Sequence, residues 1–258
     1  MKLLHSYHNH TFRCHHAEGT EREYIEEAIR CGVLTIGFSD HTPYPFTNGF
    51  VSHSRMAINE LESYVQTILD LKHAYRDEID IRLGLEVEYY PEFFEEWRKC
   101  VASFPFEYFL LGQHYIGNEY ERHSSGATYQ TKEDVAKYVD QIIAALEQQH
   151  FLYLAHPDLL KFAPVTPDEV SFYTSEMHWL CRAVKAAGIP LEINLLGIAE
   201  KRWYPRLKFW EIAGKEGCVA VLGADAHQPF TVYRPNAVQK AVKLAAACGI
   251  AIIDTPLL

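Results

Sequence analysis

Short apolar runs alternate with longer amphipathic stretches along the whole chain. Leu3 to Tyr7, Val33 to Phe38, Ile79 to Val87, Tyr108 to Leu111, Phe151 to Ala155, Pro190 to Asn194 and Val219 to Leu222 read as strands. Between them lie helical patterns with recognisable ends. Thr20 with Glu23 forms a capping box, and that helix closes near Gly32. Further helices are expected from about Ile58 to Tyr75, Phe93 to Val101, Thr131 to Gln149, Arg206 to Glu216 and Asn236 to Cys248. Thr166-Pro167-Asp168-Glu169 is a strong start for a helix reaching Ala187, because it joins a capping box to a proline in the first turn. Ala251 to Ile253 is a last extended piece. Strand and helix alternate seven times with no break in composition across residues 1–258, which predicts one α/β domain with a parallel, distorted TIM-like barrel of (β/α)7 type. Three connections, Thr42 to Ser54, Tyr115 to Tyr129 and Leu196 to Pro205, are long enough to be functional loops.

The chemistry sits where the strands end. His8 and His10 follow the first run on the same side of an extended segment, and His16 comes six residues after His10. Asp40-His41, Glu86, His114, His156 and Asp225-Ala226-His227 each end or follow another run. Parallel barrels gather their reactive groups at the C-terminal ends of strands. A lone histidine is usually ordinary packing or surface, but recurrence at successive strand ends predicts a metal site. Nine donors (His8, His10, His16, His41, Glu86, His114, His156, Asp225 and His227) exceed what one ion takes. They predict two or three divalent ions, with Glu86 placed to bridge through both oxygens. An imidazole-rich set favours Zn, Fe or Mn over Mg or Ca.

Composition narrows the choices. The formal charge is -10, from 34 acids against 24 bases, which disfavours non-specific binding to nucleic acid or anionic membranes. Six scattered cysteines without Cys-x-x-Cys spacing read as reduced thiols, and no signal segment or membrane span is evident, so a cytoplasmic protein is expected. Cys14 lies near the histidines and reads as a bystander. There is no Gly-x-x-x-x-Gly-Lys-Ser/Thr loop for nucleotide phosphates, and no cysteine has an arginine six positions later, as a phosphocysteine mechanism would need.

The ordered set His8-x-His10, His16, Asp40-His41, Glu86, His114, His156 and Asp225-x-His227 resembles the PHP (polymerase and histidinol phosphatase) superfamily, from residue 8 to residue 227. The resemblance implies a distorted seven-stranded barrel with a trinuclear centre. His8, His10, Glu86 and Asp225 would hold one ion, Glu86, His114 and His156 a second, and His16, His41 and His227 a third. Ser54-Arg55-Met56 before a long helix is similar to the histidinol-phosphate phosphatases within the superfamily. That similarity implies hydrolysis of L-histidinol phosphate to L-histidinol and phosphate, in histidine biosynthesis. Ser6, Gln113 and Ala224 depart from common family residues without removing a ligand.

The mechanism expected on this basis is attack on phosphorus by a metal-bridging hydroxide, with Glu86, Asp225 and His227 as the catalytic set. Arg202 and then Arg55 are the candidate phosphate contacts, and Tyr115 and Trp203 are candidates to stack on the substrate imidazole. Two other readings compete. A phosphoesterase acting on nucleotides or nucleic-acid ends would need a basic track, and Lys201 to Lys208 is too short for one. A structural metal module would hold its ion with four ligands, usually including cysteine.

Overall fold

A computed structural model of the chain describes residues 3–127 and 129–254, so Thr128, inside the expected loop from Tyr115 to Tyr129, lies outside the described residues. Each apolar run becomes a parallel strand: β1 (His5–Ser6), β2 (Thr35–Phe38), β3 (Asp80–Val87), β4 (Tyr108–Leu111), β5 (Tyr153–Leu154), β6 (Leu191–Asn194), β7 (Val219–Gly223) and β8 (Ala251–Ile252). They form one sheet in sequence order. Every residue of β2 and of β6 is buried, as expected of strands covered on both faces.

The first strand is shorter than its apolar run because the chain leaves the ladder to aim His8 and His10 inward. Asn9 compensates, its side-chain amide donating to the Gly37 carbonyl (2.8 Å) and the Ser6 carbonyl (2.9 Å). Its neighbours reach the far side of the sheet. The His10 N–H donates to the Ala226 carbonyl (2.9 Å) and the Ala226 N–H to the His8 carbonyl (3.2 Å). That bridge between the continuations of β1 and β7 closes the ring at one end, the mouth, while β8 pairs only with the start of β7 at the other.

The helices start where the sequence says they should: α1 (Glu21–Cys31) on Thr20, α4 (Lys132–Gln148) on Thr131 and α5 (Pro167–Ala186) on Thr166, all three with capping boxes. The helix α2 (Leu61–Ala74) follows a separate 3-10 turn at Ile58–Glu60, and α3 (Phe94–Val101) precedes β4. A five-residue helix, α6 (Leu195–Ala199), occupies the start of the expected loop from Leu196 to Pro205. The Asn194 side chain caps it by accepting from the Gly197 N–H at 2.8 Å. Five residues are too few for a period to be read from sequence. The last helices are α7 (Leu207–Glu216) and α8 (Pro235–Cys248). Among the described residues, no helix is long and apolar enough to cross a membrane.

The barrel interior away from the mouth is filled by Tyr7, Tyr108, Leu110, Leu152, Tyr153, Ala155 and Val221. Tyr108 can cross the interior because Gly84 offers no side chain. A Cβ there would lie 2.4 Å from the Tyr108 ring. The Tyr108 hydroxyl donates to the Tyr7 carbonyl at 2.7 Å. The loop from Thr42 to Ser54 uses its aromatics for packing, with Tyr44 against Tyr90 and Trp97 and Phe46 against Phe93.

Candidate metal centre

Glu86, one residue from the end of β3, is the hub of the mouth. It is 1% exposed, and its two oxygens face different groups of rings. Oε2 lies 3.0 Å from His41 Nδ1, 3.5 Å from His8 Nε2 and 3.6 Å from His10 Nε2. Oε1 lies 2.9 Å from His156 Nε2 and 3.7 Å from His114 Nε2. Gly112 makes this possible, since a Cβ there would sit 2.0 Å from Oε1. Burial alone would raise the Glu86 pKa, but the surrounding His114, His8 and His41 hold the carboxyl well below the usual range.

Asp225 enters from the end of β7 in the left-handed region, at φ 49°. Its Oδ1 is 3.2 Å from His10 Nε2 and 3.6 Å from His8 Nε2. Burial opposes its charge too, and the same imidazoles reverse the effect. His16, His41 and His227 form a third group, with the His16 ring 4.8 Å from that of His227 and 5.3 Å from that of His41. Burial and the neighbouring His10 push His41 well below its ordinary pKa and His227 down to about 3, which keeps both rings neutral and able to ligate. Of the adjacent histidines, both exposed, it is His16 that joins the cluster.

Tautomers point the same way. A carbonyl only accepts, so His16 Nδ1 carries the proton it shares with the Cys14 carbonyl (2.7 Å), as does His227 Nδ1 towards the Asp225 carbonyl (3.1 Å). Their Nε2 atoms are left for another partner. His8 Nε2, His10 Nε2 and Glu86 Oε2 are buried without a hydrogen-bond partner. Buried polar atoms are rarely orphaned, and here they converge. Donor atoms of His8, His10 and Asp225, of His8, Glu86 and His156, and of His16, His41 and His227 lie within 4.8 Å of one another in each set, close enough to share an ion. Cys14 lies within the same reach of His10 and His227, but burial pushes its thiol up, and the thiol donates to the Thr11 carbonyl (3.1 Å).

The imidazoles are buttressed by carboxylates, three of which the sequence reading did not assign to the site. Asp40 faces His10 Nδ1 at 3.4 Å and accepts from the Thr11 hydroxyl. Glu88 lies 3.3 Å from His114 Nδ1. Burial would raise its pKa, but Arg55 and His114 lower it to about 2. Glu192, on β6, accepts from His8 Nδ1 at 2.7 Å and from the His156 N–H at 2.9 Å. An acid within the apolar run Leu191-Glu192-Ile193 was the available signal.

Beside the cluster opens a cavity of about 350 Å³, whose lining includes His16, His41, His114, His156, Asp225 and His227 together with Arg202, Tyr204 and Arg234. Arg202 is exposed and pairs with Glu200 at 2.7 Å. Arg234 was absent from the sequence reading. Its Nε is buried without a partner, and burial lowers its pKa. Arg55, expected to reach phosphate, lies outside this lining. Its guanidinium is 2.7 Å from Glu88 and 2.5 Å from Glu119, and it donates to the Thr42 carbonyl at 2.9 Å, so it braces Glu88 from behind. Tyr115 and Trp203 are also outside the lining. Trp203 donates to the Leu159 carbonyl at 2.7 Å, and Lys161 covers its ring at 5.0 Å.

Known proteins share this fold and part of its sequence. The PHP domain matches residues 6–195. The chain is 31% identical over 240 residues to a probable histidinol-phosphatase of Deinococcus radiodurans, covering 87% of this chain and 86% of that protein. It is 28% identical to the histidinol-phosphatase of Bacillus subtilis, covering 86% and 92% of the two. The fold is similar to the crystal structure of histidinol phosphate phosphatase from Lactococcus lactis, complexed with zinc, L-histidinol and phosphate, with a TM-score of 0.70 at 22% identity over 97% of this chain and 95% of that one. The chain belongs to the PHP-domain family and is similar to its histidinol-phosphatases.

Proposed function

We propose that the chain, acting as one catalytic unit, is a metal-dependent phosphomonoesterase that hydrolyses L-histidinol phosphate to L-histidinol and phosphate. The observation that carries this reading is Glu86, whose two oxygens face separate groups of imidazoles, three of which (His41, His114 and His156) line a cavity together with Arg202 and Arg234. Two or three divalent ions, zinc first among them, fit the unpartnered nitrogens and oxygens there. His8, His10, Glu86 and Asp225 would hold one, Glu86, His114 and His156 a second, and His16, His41 and His227 a third. When bound, such ions polarise phosphoryl oxygens and lower the pKa of an attacking water.

The chain's own residues do the rest. Arg202 and Arg234 line the same cavity and would meet phosphoryl oxygens there, where charge-assisted hydrogen bonds stabilise the negative charge of the transition state. Asp225 and His227 stand at the cavity surface, where a proton must be taken from water and returned to the leaving alkoxide. A cavity of about 350 Å³ suits a small phosphomonoester. The net charge of -10 argues in the same direction against nucleic acid and membrane partners. The test is a panel of phosphomonoesters compared by kcat/KM with and without a chelator. Histidinol phosphate should lead, and the activity should vanish on chelation and return with zinc. A preference for nucleotides, or activity indifferent to chelation, would defeat the proposal.

A further inference from the structure

We infer that Glu192 is a positioning residue that fixes His8 in its metal-binding tautomer and ties together ligands from three strand ends. Glu192 is wholly buried, and among the described residues neither lysine nor arginine pairs with it. Its oxygens divide their work. Oε1 is 2.7 Å from His8 Nδ1, and since a carboxylate only accepts, the ring proton stays on Nδ1. In the neutral ring that ligation requires, His8 Nε2 is then the free lone pair, and it is one of the buried atoms without a hydrogen-bond partner. Oε2 accepts from the His156 N–H at 2.9 Å and from the Asn194 side-chain amide at 3.0 Å.

The His156 backbone sits at φ 28°, a conformation that non-glycine residues seldom adopt, and the bond to Glu192 helps hold it there. The same Asn194 amide nitrogen also donates to Asp225 Oδ2 at 3.0 Å. One carboxylate therefore supports His8 after β1, His156 after β5 and, through Asn194, Asp225 after β7. Gly223 is the residue that makes room for it, because a Cβ at that position would lie 1.6 Å from Glu192 Oε1.

Glu192→Gln separates this role from bulk. Two donors, the His156 N–H and the Asn194 amide, demand an oxygen on one side, so the new NH2 must face His8 Nδ1. His8 would then have to accept there and carry its proton on Nε2, where it blocks ligation. The inference rests on the reading that His8 and His156 hold ions, and the test uses zinc alone. Zinc affinity, measured by competition with a chromophoric chelator, should fall about 10- to 100-fold in Glu192→Gln, with the circular dichroism and melting temperature of the metal-free protein unchanged. Gly223→Ala keeps the carboxylate but displaces it, and should lower affinity in the same direction. A Glu192→Gln affinity equal to that of the wild type overturns the inference. So does a loss of affinity that occurs only when both variants lose their folded spectrum, because Glu192 would then be a folding residue. Wild-type protein that binds no zinc overturns the metal reading itself, and this inference with it.

Discussion

The two ends of the barrel are made from the same strands and treat their polar groups in opposite ways. Away from the mouth, Tyr7, Tyr108, Leu152 and Tyr153 fill the interior, and the Tyr108 hydroxyl is settled on the Tyr7 carbonyl. Only the Tyr153 hydroxyl in that cluster is buried without a partner. At the mouth, His8 Nε2, His10 Nε2 and Glu86 Oε2 are all buried without a hydrogen-bond partner. A core that served only stability would not concentrate orphaned donors and acceptors in one place, since each costs about 1–3 kcal/mol. The inner end is built to be stable. The mouth gives up some of that stability to keep lone pairs directed at a common centre.

Substitutions can break this contrast, and the largest effect should come from its hub. Glu86→Gln removes a charge faced by five imidazoles and should lower kcat/KM by on the order of 10^3-fold or more, while the metal-free protein still melts cooperatively. Leu110→Ala, at a fully buried position of the inner cluster, should do the reverse. Denaturant unfolding should show a loss of about 2–5 kcal/mol, with zinc affinity unaltered. If zinc affinity moved with Leu110, the two ends would not be independent.

The cavity wall comes next. Arg234→Ala and Arg202→Ala should each reduce kcat/KM for histidinol phosphate by roughly 10- to 100-fold, as expected for a lost bond to a charged group. Steady-state kinetics on a metal-replete sample would isolate that effect, and an unchanged value for either variant would remove that arginine from the site. The smallest effect should follow Thr166→Ala, which removes the cap of α5 at an exposed position outside the cavity lining. It should cost about 1 kcal/mol in thermal or denaturant unfolding and leave kinetics untouched.

The same contrast explains what could be read in advance. The histidines and Asp225 were legible because each closes an apolar run, and a strand that ends in a ligand places it at the mouth. The capped helices were legible because Thr20, Thr131 and Thr166 each announce a first turn. Supporting residues were harder to see. Glu192 looks like one polar position in an alternating strand, and nothing local says that His8, 184 residues away, will accept its company. Arg55 was expected at the substrate because its partners Glu88 and Glu119, 33 and 64 residues distant, meet it only in the fold. Arg234, just before a helix that starts with proline, reads in sequence as a solvated charge, yet the chain folds it against the cavity. Side chains that face a common centre from strand ends leave a pattern. Side chains that brace them from behind do not.

An anomalous-difference map from crystals grown with zinc tests the central claim most directly. Peaks should flank Glu86, at about 2.0–2.2 Å from its oxygens, one shared with His8, His10 and Asp225 and another with His114 and His156. Zinc bound elsewhere, with no peak in contact with Glu86, would contradict the account.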